Sequence, residues 1–408
     1  MKNNVFVEVK DLLTHNLRTS GIYIAFVAIV LLFTILTQGT LLSAENVTNI
    51  VLQNAHILIM ALGMILVIVG GHIDLSVGSV LAFASAVSAV LVIRMGMPWW
   101  MGVLAAIIVG ILVGVWQGFW VAYVGIPAFI VTLAGMLLFR GLTWLVLDNV
   151  SLSPFPGAYR EIASGFLDGT FGAITIAEGQ GLKAVPQTLD VFTLLIGVLA
   201  VGGIIVSSIR SRRTKQNYNQ PVESMFLFVL KLVVISAVLL AFAAALAYNR
   251  GFPYVLIILA VLILVYQVVT NRTIFGRHVY AVGGNLAAAR LSGVNVRSTN
   301  FWIFVNMGFL TGIAAAVFSS RSNGAQPGMG NMFELDVIAA CFIGGASTMG
   351  GVGRVGGALI GGLVMAVMTN GMQLMGVPQS MQQIIKGLVL LLAVAFDIYN
   401  KRRAGQAR

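Results

Sequence analysis

Long apolar runs separated by short polar gaps dominate the pattern along this chain. A helix crosses the hydrocarbon of a bilayer with about 20 apolar residues, and with fewer where it is broken or buried in protein. On that criterion twelve segments are predicted in the membrane, over residues 20–37, 47–70, 76–94, 98–123, 127–147, 190–209, 224–248, 252–270, 299–318, 336–350, 352–375 and 381–398. The expected fold is all-α, a polytopic bundle of transmembrane helices forming one domain over 1–408. The polar stretch 148–189 is rich in Gly, Ser and Pro and is expected to be an external loop with little regular structure.

Composition agrees with the pattern. Of 408 residues 59% are hydrophobic and 9% charged, whereas about a quarter of residues are charged in a soluble globular protein. The net charge of +11 changes the picture only in where it sits. Fifteen of the 24 Lys and Arg residues fall in four places: Lys2, Lys10 and Arg18; Arg210, Arg212, Arg213 and Lys215; Arg272, Arg277, Arg290 and Arg297; and Lys401, Arg402, Arg403 and Arg408. Twelve crossings put all four on one side, and the positive-inside rule makes that side cytoplasmic, with both termini. The 148–189 stretch falls opposite, with Arg160 and Lys183 beside Asp148, Glu161, Asp168 and Glu178. Basic residues scattered in short gaps do not make a nucleic-acid surface. Cys341 is the sole cysteine and reads as a small buried hydrophobe. Residues 1–20, with Glu8 and Asp11, lack the features of a cleaved signal.

Three polar motifs interrupt the runs. Gly70-Gly71-His72-Ile73-Asp74-Leu75-Ser76-Val77-Gly78-Ser79 combines a glycine break with Asp74 and Ser76, which can cap the next helix through free backbone amides or belong to a gate. In the segment 271–298, Asn285 is a good cap, the run Leu286-Ala287-Ala288-Ala289 favours helix and Gly293 suits a stop. A short helix there either lies on the surface or docks a partner. The third motif runs from Phe333 to Gly357. Its Gly351-x-Gly353-x-x-Gly356 follows no strand, so nucleotide binding is not expected. Gly353, Gly357 and Gly361 recur every four residues, which suits close helix packing. Ile73-Asp74-Leu75 and Glu334-Leu335-Asp336 sit on opposite sides by the helix count, as an inverted repeat or chance would place them. Arg140, Lys231, Arg354 and Lys386 are expected to snorkel to the interface. No GxxxxGK[ST], HExxH or GxSxG pattern occurs, so no catalytic residue, metal or cofactor is expected and any ATP hydrolysis belongs to a partner.

Together, GGHIDLSVGS at 70–79, IPAFIVTLAGMLLFRG at 126–141, GRHVYAVGGNLAAARLSGVNV at 276–296, FELDVIAACFIGGAS at 333–347 and NGMQLMGVPQSMQQIIKG at 370–387 resemble the permease subunits of bacterial ATP-binding-cassette sugar importers. The ribose, xylose and multiple-monosaccharide branch is the nearest, and the last two types match best. The resemblance implies import of a monosaccharide across the inner membrane by alternating access. It implies as partners a second permease copy or paralogue, a cytoplasmic ATPase and a periplasmic sugar-binding protein. It also makes Gly283, Gly284, Asn285, Ala288, Arg290, Ser292 and Gly293 the ATPase contact. Shorter ribose-type relatives lack the apolar material around 190–248, which implies a ten-helix core with two added helices.

Pathway or gate candidates are Asp74, Ser76, Asn54, Phe129, Asn306 and Asn370, with Trp116, Gln117, Thr132 and Gln373 of similar chemistry. Such residues also serve to pack membrane helices. Arg94, Arg160, Arg250 and Arg321 are cations on the outer side, and Arg250 and Arg321 are the expected docking points for the binding protein. Two other functions stay open: a permease for branched-chain amino acids or nucleosides, and a self-sufficient secondary transporter. The latter normally needs more buried carboxylates than Asp74, Glu334 and Asp336.

Overall fold

The computed structural model describes residues 17–167, 172–177, 187–220, 222 and 224–403. Lys2, Lys10, Asp168, Glu178, Lys183 and Arg408 lie outside the described residues, as does much of the 148–189 stretch. The chain divides into two compact units. The first comprises 1–41, 52–164 and 255–408, and the second 42–51 and 165–254.

Among the described residues nine helices are long and apolar enough to cross a membrane. They are α2 (Ala44–Val69), α3 (Val77–Ala89, extended by a π-turn to Arg94), α4 (Trp99–Phe119, extended by a π-turn to Val124), α5 (Ala128–Leu147), α7 (Val191–Asn217), α8 (Met225–Asn249), α9 (Tyr254–Arg272), α12 (Val296–Ser322) and α14 (Val355–Leu374). Two further helices, α1 (Leu17–Leu36) and α15 (Gln379–Arg403), contain shorter apolar stretches at Ile22–Leu36 and Gln379–Ala395. The all-α polytopic fold is therefore the observed one.

The segment expected over 336–350 is corrected. Helix α13 covers only Phe333–Ile343, 11 residues, or about 16 Å at 1.5 Å per residue, too short to cross roughly 30 Å of hydrocarbon. Gly345, Gly350 and Gly351 have φ of +85°, +80° and +71°, a left-handed backbone that ends the helix and folds 344–354 into turns. Residues 210–217, expected as loop, continue α7.

Helix α2 is the most buried of the nine, with 89% of its apolar window buried. Helix α12 lies against α4 and α3, and α14 against α13. Gly357 and Gly361 permit the α13–α14 approach: a Cβ on either would meet Gly344 O at 2.2 Å or Ala340 O at 1.9 Å. Gly353 precedes that helix and packs instead on Ile65 and Val69 of α2.

The described part of 148–164 also differs from the expected loop. Helix α6 (Gly157–Ser164) is built there, and Leu152 and Ala325 exchange backbone hydrogen bonds at 2.8 and 2.9 Å. Tyr159 is fully buried, stacked on Phe155 at 4.0 Å, and its hydroxyl lies 2.9 Å from both Ser88 Oγ and Ser319 Oγ. Proline and glycine signalled a loop here, but buried aromatic packing and satisfied hydroxyls hold it as structure.

The second unit joins α7 and α8 to two short sheets, in which β1 (Phe166–Leu167) pairs with β4 (Phe252–Pro253) and β2 (Ala173–Ala177) with β3 (Gln187–Asp190), both antiparallel. Asp190 caps α7 by accepting from Thr193 N at 2.8 Å, and Ser224 caps α8 through Leu227 N. None of the apolar window of α8 is buried, as expected of a helix that faces lipid. These are the two helices suspected as additions around 190–248.

Candidate functional site

The polar segment 271–298 folds as two consecutive helices. Thr273 caps α10 (Ile274–Gly284) by accepting from Gly276 N at 3.1 Å. Asn285 then ends α10 and caps α11 (Leu286–Leu291), its Oδ1 accepting from Ala288 N at 3.0 Å. Gly293, at φ +79°, stops α11 while its N–H donates to Arg290 O at 3.0 Å. Arg290 thus sits at the carboxyl end of α11, where the helix dipole favours a cation. Pattern reading found α11 with its cap and stop but gave α10 no helix.

Buried and exposed faces of α11 are sharply divided. Ala289 packs inward at 4% exposure, whereas Ala288 and Arg290 are exposed and Leu291 is 90% exposed. Of the two central alanines only Ala288 therefore belongs to the outward face of the helix. Leu291, an apolar knob at the helix tip, went unmarked there, since leucine normally signals an inward position.

Helix α10 seats this handle on two discontinuities of the bundle. Gly283 touches the end of α2 so closely that a Cβ would lie 1.7 Å from Val69 O, the same carbonyl that accepts from Gly351 N at 2.8 Å. Tyr280 donates to Gly353 O at 2.7 Å. Burial raises the pKa of that hydroxyl, Arg354 opposes the shift, and the phenol remains a neutral donor. Helix α10 therefore contacts both the end of α2, just before the 70–76 break, and the 344–354 turns.

At the 70–76 break, Asp74 is buried and accepts from Ser76 N at 2.8 Å and Ser76 Oγ at 2.6 Å. Gln117 Nε2 donates to Ser76 Oγ at 2.6 Å, and Thr132 Oγ1 donates to Ile73 O at 3.3 Å. Four sequence candidates thus converge on one buried network. Its neighbour is the break before α13: a Cβ on Gly78 would lie 2.3 Å from Gly330 O and 2.4 Å from Glu334 Oε2. Arg140 Nη2 stands 3.9 Å from Glu334 Oε1, and Lys386 Nζ donates to Asp336 Oδ2 at 2.9 Å. Those two cations turn inward to carboxylates rather than snorkelling.

The remaining candidates lie apart from this network. Phe129 is 55% exposed, and Asn306 Oδ1 accepts from the Tyr266 hydroxyl. Asn370 is buried in α14, and Asn54 lines a polar cavity that Gln373 shares. Of the outer cations, Arg94 is already paired with Asp148 at 2.7 Å. Arg250 is exposed with its guanidinium 4.6 Å above the Phe166 ring, and Arg321 is half-buried at the end of α12.

A family model described as the permease component of branched-chain amino acid transport systems matches residues 46–394. The chain belongs to this permease family. The permease is 37% identical over 388 residues to the xylose transport system permease protein XylH of Haemophilus influenzae, covering 95% of this chain and 98% of that one. It is 38% identical over 389 residues to XylH of Escherichia coli K12, covering 95% and 94%. Against the ribose import permease protein RbsC of H. influenzae it is 31% identical over 377 residues, 92% of each chain. No solved structure matches. As a permease with this helix content, it is a multi-pass inner-membrane protein and a transport subunit rather than an enzyme.

Proposed function

We propose that this permease is the membrane subunit of an ATP-binding-cassette importer that moves a monosaccharide, a pentose such as xylose or ribose, into the cytoplasm. The observation that carries the reading is the α10–α11 handle, which offers Leu291 outward and grips both helix breaks inward. A cytoplasmic ATPase closing on Ala288, Arg290, Leu291, Ser292 and Gly293 displaces, through Gly283, Gly284 and Tyr280, the ends of the segments that carry Asp74, Ser76 and Glu334. A second copy or paralogue completes the pathway and a periplasmic binding protein delivers the sugar. Relatives named for xylose and ribose favour a sugar over the branched-chain amino acid of the family description. Proteoliposomes holding the permease with its ATPase and binding protein should take up labelled xylose or ribose and not leucine. Uptake by the permease alone would overturn the assignment.

The proposed orientation places the Gly283 end and the amino terminus in the cytoplasm. A cysteine at Ser211 should then react with an impermeant thiol reagent only from the cytoplasmic side, and one at Ser164 only from outside. Labelling of both from one face would overturn that orientation. For binding-protein docking, Arg250 and Arg321 are the proposed cations. Reversing either to Glu should weaken docking at least tenfold and make the residual binding less salt-sensitive, since charge-assisted pairs are lost. Surface plasmon resonance against the assembled complex measures it, and unchanged affinity in both variants would place docking elsewhere.

A further inference from the structure

A cavity of about 570 Å³ opens in the first unit among α2, the 331–332 turn and helices α13, α14 and α15, within the roughly 300–1,000 Å³ range of small-molecule sites. Its wall is rich in amides: Gln53, Asn54, Gln373, Gln379, Gln382 and Gln383 all line it. A primary amide both donates and accepts, as a sugar hydroxyl does, so a row of amides matches a polyol better than any group of fixed polarity. Asp336 and Lys386 line it too and neutralise each other at 2.9 Å, leaving the wall no net charge.

His56 supplies a second, independent observation. It is 5% exposed, lines the cavity, and its Nε2 has no hydrogen-bond partner. Buried polar atoms are nearly always bonded, so this nitrogen has hydrogen-bonding capacity that no protein group uses. Its ring lies 4.6 Å from both Phe318 and Phe333, and those rings also line the cavity. Amides that read hydroxyls beside aromatic faces that take the C–H surface of a ring make up the chemistry of a sugar site. A branched aliphatic side chain would instead need an apolar receptacle.

Position fits as well. Helix α14 begins beside Gly353 and Tyr280, so its carboxyl end, with Gln373, points away from the ATPase handle and toward the side of sugar delivery. We propose that this cavity is a sugar-binding station within the permease, holding an uncharged monosaccharide between the binding protein and the inner pathway. The inference rests on the transport reading above and adds a site to it.

The sole native cysteine, Cys341, is fully buried, so a water-soluble methanethiosulfonate reagent reads an introduced thiol. In the assembled transporter, xylose or ribose should slow modification of Gln373→Cys and leave unchanged that of Met95→Cys, an exposed position outside the cavity. Adding Gln383→Leu to Gln373→Cys should raise the half-protecting sugar concentration about tenfold, the effect of one or two lost hydrogen bonds. Absence of protection in proteoliposomes that still import sugar overturns the station and leaves the transport reading standing. Absence of import by the wild-type transporter with its ATPase and binding protein overturns the transport reading itself.

Discussion

Replacing Leu291 by Asp should abolish sugar uptake and the stimulation of ATP hydrolysis by loaded binding protein, while expression and membrane insertion stay near normal. Leu291 is 90% exposed, so its replacement removes nothing from the permease core. In a cleft of the ATPase a buried leucine contributes about 1.5–3 kcal/mol, and a carboxylate in the same place adds a desolvation cost of several kcal/mol. The sum is a loss of at least about a thousandfold in affinity. Ala288→Glu acts on the same exposed face. Gly293→Pro acts on the stop of α11, because proline holds φ near −65° where the chain needs +79° and removes the N–H that bonds Arg290 O. All three should abolish uptake and ATPase copurification together. Normal uptake with the ATPase still copurifying would reduce α10–α11 to a surface helix.

What the sequence disclosed follows from which forces act locally. Span positions depend on runs of adjacent apolar residues, and Asn285 and Gly293 announce the ends of α11 by the side-chain acceptor and the positive φ that those positions need. The Gly70-Gly71 break was equally visible. Less legible were features set by residues distant in the chain. Gly345, Gly350 and Gly351 shorten α13 through positive φ, a backbone property that the apolar run Val337–Ile343 before them does not announce. Tyr159 turns a proline-rich stretch into packed structure through Ser88 and Ser319, 71 and 160 positions away. Amides of the cavity arrive from separate elements, so no local motif gathers Gln53, Gln373 and Gln383. Leu291 was hidden for a different reason: it breaks the rule that apolar side chains turn inward, as residues at interaction surfaces do. The Asp74 and Glu334 segments, expected on opposite sides of the membrane, instead meet, since Gly78 and Gly330 bring the two breaks into backbone contact.

Leucine in place of Gly308 should destroy the bundle itself. Helices α4 and α12 meet along Gly110, Gly114 and Gly118 on one side and Gly308 and Gly312 on the other, each set spaced by four residues. A Cβ on Gly110 would lie 2.2 Å from Gly308 O, one on Gly308 2.1 Å from Gly110 O, and one on Gly114 2.5 Å from Phe304 O. Each obstacle is backbone, so no side chain can rotate away and the helices themselves must separate. In lipid the hydrophobic effect does not hold helices together, and van der Waals packing across small residues takes its place. Parting this seam therefore forfeits the attraction along its length as well as incurring the roughly 3 kcal/mol of an overpacked core. Gly308→Leu should yield protein that aggregates on extraction in mild detergent, and Gly308→Ala a monodisperse species with a lowered melting temperature. Gly141→Leu is the control, because a Cβ there meets nothing within 4 Å. Fluorescence-detected size exclusion with a thermal ramp separates the three, and equal melting of Gly308→Leu and Gly141→Leu would show that the α4–α12 seam does not hold the bundle together.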